Sequence, residues 1–281
     1  MKFKIDVELN YQVAADSTLI LNIHALKTAT QKIPTESFET SSNIPIDEFS
    51  SVQGEHRSVR LSIPKTKSIS ISYKAEVENY YALKDCTHVP ELKIDQLNPE
   101  IFLYLYPSRY CPSDKLYNFA NNLFGPIEND FNKVIAITNW IYKNIRYRGG
   151  ASNSQTSALE TLTEQVGVCR DFAHLGITFC RALTIPARYF TAYAYQLKPQ
   201  DFHACFEAYI NGNWILFDAT RLAPLNGMIK IASGRDAADT AFGNLFGEIN
   251  FKSSKITCDF VGENFIPFHQ HEQSNQAVSY S

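Results

Sequence analysis

The fold of this 281-residue chain is organised around one stretch, V-G-V-C-R-D-F-A-H at residues 166–174. A helical pattern ends at Gly167, and a second one starts at once, with Phe172 and the apolar residues after it spaced as one buried helix face. Cys169 falls in the first turn of this second helix. Unpaired N–H groups and the helix dipole favour negative charge there, so the position suits a thiolate. Gly167 can adopt a positive φ, which predicts a sharp turn just before the cysteine.

Position alone does not make this cysteine reactive, because cysteine is often a small buried residue without a chemical role. A histidine and an aspartate later in the chain decide between the two interpretations. Residues 202–218 form two β-type runs on either side of Asn-Gly at 211–212, which predicts a hairpin with a two-residue type I′ turn. In that register His203 and Asp218 lie diagonally on one face, whereas a loop one residue longer would separate them.

These three residue types meet the needs of nucleophilic acyl transfer. A thiolate attacks a carbonyl carbon, an imidazole moves the proton, and a third group fixes the tautomer of the imidazole. The sequence therefore predicts a site formed by Cys169, His203 and Asp218. A metal ion held by the same three residues is the alternative, but the spacing lacks the CxxC or HxxxH pattern typical of metal sites.

The motifs around these residues resemble the transglutaminase-like superfamily, in its bacterial branch that contains candidate cysteine proteases. They are G-V-C-R-D-F-A-H, I-P-A-R-Y, H-A-x-x-E, W-x-x-F-D-A-T and, at 234–239, G-R-D-A-A-D; together they cover about residues 115–250. The resemblance implies a papain-like core preceded by a β-rich domain, with Cys169, His203 and Asp218 as the catalytic triad. Two positions depart from the family pattern: Cys205 stands where tryptophan is common, and Ala219 replaces the proline of Asp-Pro-Thr.

Composition limits the classes of function. The net charge of −3 and the pI near 6.2 give no support for nucleic-acid or membrane binding. The six cysteines lack the spacing of a disulfide framework or a zinc ribbon, and no run approaches a membrane span. We therefore expect a soluble, cytoplasmic protein with no cofactor and no metal. The family resemblance implies a peptide or protein substrate.

The chain divides into four predicted segments. Residues 1–85 alternate apolar and polar residues and predict an antiparallel β-sandwich, which is either structural or supplies a loop to the rim of the substrate cleft. Residues 86–112, with prolines at 90, 99, 107 and 112, predict a linker containing a short strand. Residues 113–262 form the predicted catalytic domain, and residues 263–281 a flexible tail.

Within the predicted catalytic domain, helices precede strands, which favours an α+β fold of helices packed on an antiparallel sheet. The predicted helices are 114–124 capped by Ser113, about 129–147, and a short one opened by a capping box at Ser157. Strands follow at 189–195 and in the hairpin, and stretches near 229–231 and 249–260 are expected to extend the same sheet.

The evidence for a functional role is weaker for the other polar residues near these motifs. His174 lies five positions after Cys169 and points away from it on a helix, so a packing role is favoured. Arg170 and Asp171 are interpreted as an exposed charge and a first-turn acid, either of which could contact substrate. Arg188 is interpreted as a support of the sheet. His269 and His271 are a weak candidate pair for a metal.

The expected activity is hydrolysis of peptide or amide bonds through a thioester on Cys169. Transfer of the acyl group to an amine, as in a transglutaminase, is the alternative, because the sequence does not identify the acceptor. A binding module that kept the fold without activity and an enzyme acting on small-molecule amides or thioesters also remain open.

Overall fold

Alternating side chains build the first part of the chain into strands with one buried face. In β1 (Lys2–Val13) every second residue is buried, and Phe3, Ile5 and Val7 are fully enclosed. The computed structural model describes residues 1–51, 55–66, 68–86, 93–270 and 275–280. Within these ranges the next strands are Ser17–Leu21 (β2), Gln31–Thr40 (β3), Ile46–Ser50 (β4), Arg57–Ile63 (β5), Ile69–Asn79 (β6) and Ala82–Asp85 (β7).

Helices and further strands follow in the second part of the chain. The helices are Tyr117–Phe124 (α1), Asp130–Asn144 (α2), Ala158–Glu164 (α3) and Cys169–Ala182 (α4). The strands are Arg146–Tyr147 (β8), Val166–Gly167 (β9), Ala187–Ala194 (β10), Phe202–Ile210 (β11), Asn213–Phe217 (β12), Met228–Gly234 (β13), Gly243–Phe246 (β14), Ile249–Phe260 (β15) and Gln276–Ser279 (β16).

The first strands form two antiparallel sheets, but the sheets are completed by strands from the end of the chain. One sheet has the order β15-β1-β6-β3 and the other β14-β2-β5-β4. Phe3 lies opposite Phe260, and Val13 opposite Ile249. The expectation that residues 249–260 extend the catalytic sheet is therefore wrong. Ile256 and Cys258 of β15 are buried in the same core as β1, and burying them there decides the pairing.

The second antiparallel sheet has the order β12-β11-β10-β13 and lies against the helices. α4 packs on β10 and β11, while α2 and α3 pack on α4. Phe172, Phe179 and Phe206 belong to the core between this sheet and the helices. The observed architecture is the predicted α+β arrangement of helices on an antiparallel sheet, joined to a β-rich N-terminal part.

Two predicted segments differ from the observed ones. The segment 86–112 contains the 3₁₀ helix Pro99–Tyr104 in place of the predicted strand, because Asn98 caps the N–H of Glu100 and proline occupies the first position; Pro90 lies outside the described residues. The end of the predicted flexible tail forms β16, which pairs with β7. Ala277 and Val278 are fully buried there, so apolar packing holds this strand in place.

Helix bounds are shorter than the sequence predicts at two places. α1 begins after Leu116 without a side-chain cap, so Ser113 does not cap it. α2 ends at Asn144, because the backbone of Ile145 is extended and the next two residues pair as β8 with β9. The capping box at Ser157 is present as predicted.

The two parts of the molecule are joined by hydrogen bonds at the edge strand β13. The Gln31 side chain donates to the Lys230 carbonyl over 2.8 Å and accepts from the Lys230 N–H over 2.8 Å. Tyr193 of β10 donates its hydroxyl hydrogen to the Ile23 carbonyl. None of the helices in the described ranges has the length and apolar content needed to span a membrane.

Candidate active site

The helix that carries the predicted nucleophile begins at Cys169 itself. Val168 precedes it in an extended conformation, and its N–H donates to the Asp171 carboxylate over 2.8 Å. Asp171 is fully buried and also accepts hydrogen bonds from the Ser152 hydroxyl and from Arg170. The interpretation of Asp171 as a first-turn acid is confirmed. The buried carboxylate fixes the start of α4, so it is not free for the substrate contact that the sequence left open.

Gly167 has a role that differs from the predicted one. Its φ does not lie in the positive range, so the backbone does not need left-handed geometry there. A Cβ at Gly167 would instead lie 2.7 Å from the Cβ of Asp171. Glycine is therefore required for the close approach of Asp171, which in turn holds the first turn under Cys169.

The predicted hairpin brings His203 and Asp218 together. Ile210 lies opposite Asn213 and Phe206 opposite Phe217, which is the register of a two-residue loop. The loop residues at 211–212 both have positive φ, as a type I′ turn requires. His203 Nε2 lies 2.9 Å from Asp218 Oδ2. The sequence-based register and the predicted contact are both confirmed.

Thr220 holds the aspartate in position. Its N–H and its hydroxyl both donate to Asp218 Oδ1, over 2.8 and 2.7 Å. One carboxylate oxygen is thus engaged by the backbone turn, and the other faces His203. Asp218 is 6% exposed and His203 1% exposed, so the pair is withdrawn from water.

The charged forms of His203 and Asp218 stabilise each other. Burial opposes the charged form of each group, yet the neighbouring groups outweigh it. Cys205, Asp218 and Cys169 raise the pKa of His203 well above its ordinary value, and His203 and Thr220 lower the pKa of Asp218. Cys205 is also close to His203, but burial raises the pKa of this thiol to about 12. At neutral pH Cys205 is uncharged, so Asp218 supplies the negative charge that stabilises the imidazolium.

The thiol of Cys169 completes the group, since it lies close enough to His203 to raise the pKa of the imidazole further. All six cysteines lie within the described ranges; Cys169 is partly exposed, and the other five are buried. A partly exposed thiol beside a protonated imidazole and a helix N-terminus is the environment of a reactive cysteine. The structure thus brings together the three residues that the sequence singles out; their catalytic role stays a prediction.

Tyr147 is a member of the site that sequence reasoning missed. The sequence pattern puts it at the end of a helix, but it lies in β8 opposite Gly167. Its hydroxyl is within hydrogen-bonding reach of the Cys169 backbone N–H, and burial raises the pKa of the phenol to about 12. The sequence signal was the run Ile145-Arg146-Tyr147 before two glycines, which suits a short strand as well as a helix end.

Two family models match the chain. The model of the transglutaminase-like superfamily matches residues 117–219, which include Cys169, His203 and Asp218. The model described as the N-terminal domain of bacterial transglutaminase matches residues 1–100.

A solved structure of a candidate cysteine protease from Cytophaga hutchinsonii is 50% identical to this chain. The match covers 100% of this chain and 98% of that one, with a TM-score of 0.98. The chain belongs to the transglutaminase-like superfamily. An uncharacterised protein of Mycobacterium leprae, ML0607, is 27% identical over 146 residues, which are 49% of this chain and 52% of the relative. The chain thus matches about half the length of that curated relative.

Cys205 is one of the two positions at which this chain departs from the family pattern. Donor atoms of His203, Cys205 and Asp218 all lie within 4.8 Å of one another and are buried. A thiol, an imidazole and a carboxylate form a donor set that suits zinc. The group that could hold a metal therefore includes Cys205, whereas the sequence-based alternative placed Cys169 there.

Other motif residues of this transglutaminase-like chain have structural contacts. His174 is fully buried, stacks on Tyr110 at 5.0 Å, and accepts the Ala237 N–H at Nε2 over 3.2 Å. Its predicted packing role is confirmed. Arg188 donates to the buried Glu207 over 2.6 Å, which confirms its predicted support of the sheet. His269 is exposed, and His271 lies outside the described residues.

Proposed function

We propose that this protein is a cysteine-dependent acyl-transfer enzyme that hydrolyses peptide or amide bonds. The observation that carries the proposal is the position of His203, which interacts with the Cys169 thiol and lies 2.9 Å from Asp218. This is the arrangement in which one imidazole can take a proton from a nucleophile and return it to a leaving group.

The reaction has two balanced steps. The Cys169 sulfur bonds to the substrate carbonyl carbon, its proton resides on His203, and the carbonyl electrons move to oxygen. When the C–N bond breaks, His203 gives this proton to the leaving amine and a thioester remains. Water then attacks the thioester, His203 takes a proton from it, and Cys169 leaves as the carboxylic acid forms.

The developing oxyanion needs donors that are already in place. Cys169 is the first residue of α4, so its backbone N–H has no partner within the helix and is one donor. The hydroxyl of Tyr147 lies next to that N–H, and its raised pKa keeps it protonated. We assign Tyr147 as the second donor, which moves from the N–H onto the oxyanion when substrate binds.

Similarity to the candidate cysteine protease supports water as the acyl acceptor. The match of residues 1–100 to the N-terminal domain of bacterial transglutaminase supports an amine as the second candidate acceptor. Both reactions share the thioester on Cys169 and differ only in the second step, so one experiment separates them.

The test uses a glutamine-containing peptide library with and without a labelled primary amine, analysed by mass spectrometry. We expect cleaved or deamidated peptides in both reactions, and no product with Cys169→Ala, because no other group replaces the thiol. Stoichiometric incorporation of the amine with little free acid would instead establish the transferase. Product formation by Cys169→Ala would overturn the proposal altogether.

A further inference from the structure

A cavity of about 300 Å³ lies between the β-sandwich and the beginning of β11. Both parts of the molecule supply apolar side chains to its wall, namely Leu9, Tyr11, Phe202, Phe242, Leu245 and Phe251. This volume is at the lower end of the range for ligand sites, roughly 300–1,000 Å³. It suits one side chain of a larger ligand better than a whole cofactor.

The cavity adjoins the candidate active site. Phe202 forms part of its wall and directly precedes His203 in β11, and its ring stacks on Phe242 at 4.2 Å. Asp201 also lines the cavity, and its carboxylate interacts electrostatically with both His203 and the Tyr147 phenol. One carboxylate of the cavity wall is thus close to both His203 and Tyr147.

The residues that line the cavity range from almost fully buried to half exposed. Leu9 and Tyr11 at the inner end are 3% and 4% exposed, whereas Leu245 and Phe251 are 41% and 52% exposed. A ligand group placed between them would remove apolar surface from water on both partners, which favours binding in proportion to the area covered. Asp201 is the charged group in this wall, so an acidic ligand group would be repelled there.

From these features we infer that the cavity binds a large apolar side chain of the acyl-donor peptide, next to the carbonyl that Cys169 attacks. The inference rests on the proposed function for the position of that carbonyl. Asp201 and His203 are two residues apart in an extended segment and so lie on the same side of it, and their charges interact. Successive residues of an extended peptide are about 3.3 Å apart, so a residue near the reacting carbonyl can reach the cavity at Asp201. The sandwich then contributes directly to substrate selection.

The test measures peptide selection without relying on turnover. Dipeptidyl chloromethyl ketones carry Phe, Leu, Ala or Glu at each position in turn, and they alkylate Cys169 after binding. The rate of alkylation is followed by intact-protein mass spectrometry on the full chain. We expect Phe and Leu to exceed Ala by about ten-fold or more at one position, and Glu to be the slowest.

Two neighbouring residues of β14 provide matched variants. Leu245→Asp places a charge in the cavity, whereas Phe246→Asp changes a residue that is 55% exposed and lines a different cavity. We expect Leu245→Asp to reduce the Phe preference to near that of Ala. Phe246→Asp should leave the preference unchanged. Iodoacetamide, which has no side chain to place, should alkylate Cys169 at the same rate in all three proteins.

Equal rates for Phe and Ala at both positions, or a preference that survives Leu245→Asp, would overturn the inference. Failure of the proposed function has a different signature. In that case the library peptides yield no product, yet the chloromethyl ketones still show an apolar preference that Leu245→Asp removes, and the cavity stands as a peptide-binding site.

Discussion

At the residue scale, the candidate active site depends on contacts within one hairpin and on contacts between segments that are distant in the sequence. His203 and Asp218 are neighbours because a two-residue turn sets the register of their hairpin, and a turn of this type is visible in the sequence as Asn-Gly. The contact between His203 and Asp218 could therefore be predicted from the turn. Cys169 could be predicted from the helical pattern that starts after Gly167. Tyr147 and Asp171 could not, because their contacts follow from how separate segments pack around α4, and local patterns carry no information about such packing.

Replacement of Asp218 by Asn should shift the pH dependence of the enzyme. The negative charge of Asp218 raises the pKa of His203, so removing it lowers that pKa. The reactive thiolate–imidazolium pair needs the proton on His203, and the alkaline limb of kcat/KM should therefore move to lower pH. The asparagine still orients the ring, so the loss of kcat should be roughly 10²-fold smaller than in Cys169→Ala.

A pH profile of kcat/KM for the two proteins checks this expectation. Thr220→Val is the matched control, because it removes one hydrogen bond to the far oxygen of Asp218 and keeps the charge. An alkaline limb that stays in place in Asp218→Asn would show that the carboxylate does not stabilise the imidazolium.

Replacement of Tyr147 by Phe tests the second oxyanion donor. The ring and its contact with Phe172 at 5.8 Å are retained, and only the hydroxyl is lost. We expect kcat to fall by roughly 10²–10³-fold with little change in KM, since the donor acts mainly in the transition state. A rise in kcat would mean that the hydroxyl blocks the Cys169 N–H and does not assist the reaction.

At the element scale, the hairpin, the capping box of α3 and the start of α4 were predictable because each has a local signal. The ends of helices were harder to predict. α2 stops at Asn144 because the residues after it form β8, which pairs in parallel with β9, the strand before α4. The spacing of α4 from β11 is another tertiary feature. A Cβ added at Gly176 would lie 2.5 Å from the ring of Phe206, so the helix lies closer to the sheet than any larger residue allows.

Gly176→Ala should therefore reduce stability in spite of the better helix propensity of alanine. Overpacking of this kind costs about 1–3 kcal/mol, because α4 or Phe206 must move. Gly149→Ala is the control, since a Cβ there meets nothing within 4 Å. Thermal unfolding of both variants measures the difference in their stability. Equal melting temperatures would show that Phe206 can move aside without loss of stability.

At the scale of the whole molecule, the sequence indicated the α+β class and a β-rich N-terminal part but misplaced the last strands. Alternation in residues 249–260 predicts a strand with one buried face, and it fits either antiparallel sheet equally well. The choice of partner depends on contacts across more than 200 residues of chain, which no local pattern records. The division of the chain at residues 85 and 113 stays a prediction, whereas the sandwich contains strands from both ends.

This topology predicts how fragments behave. Residues 1–100 alone should lack a cooperative unfolding transition, because β1 and β2 lose their partners β15 and β14. Because Phe260 lies opposite Phe3, residues 243–262 can be fused to the amino end of this fragment through a short glycine linker. The fused fragment should unfold cooperatively by circular dichroism. A sharp transition in residues 1–100 alone would show that the sandwich does not need its C-terminal strands.

The pairing of β1 with β15 also sets an order of events during synthesis. About 170 residues lie between the end of β6 and the start of β15, and at roughly 5–20 residues per second a ribosome needs on the order of ten seconds or more to make them. During that interval β1 has one open edge, where a second nascent chain could pair. The site helices and the hairpin are made within the same interval, before β14 and β15. Leu245 and Phe251 are made with the last strands, so a growing chain contains Cys169 before it contains all the residues that line the cavity.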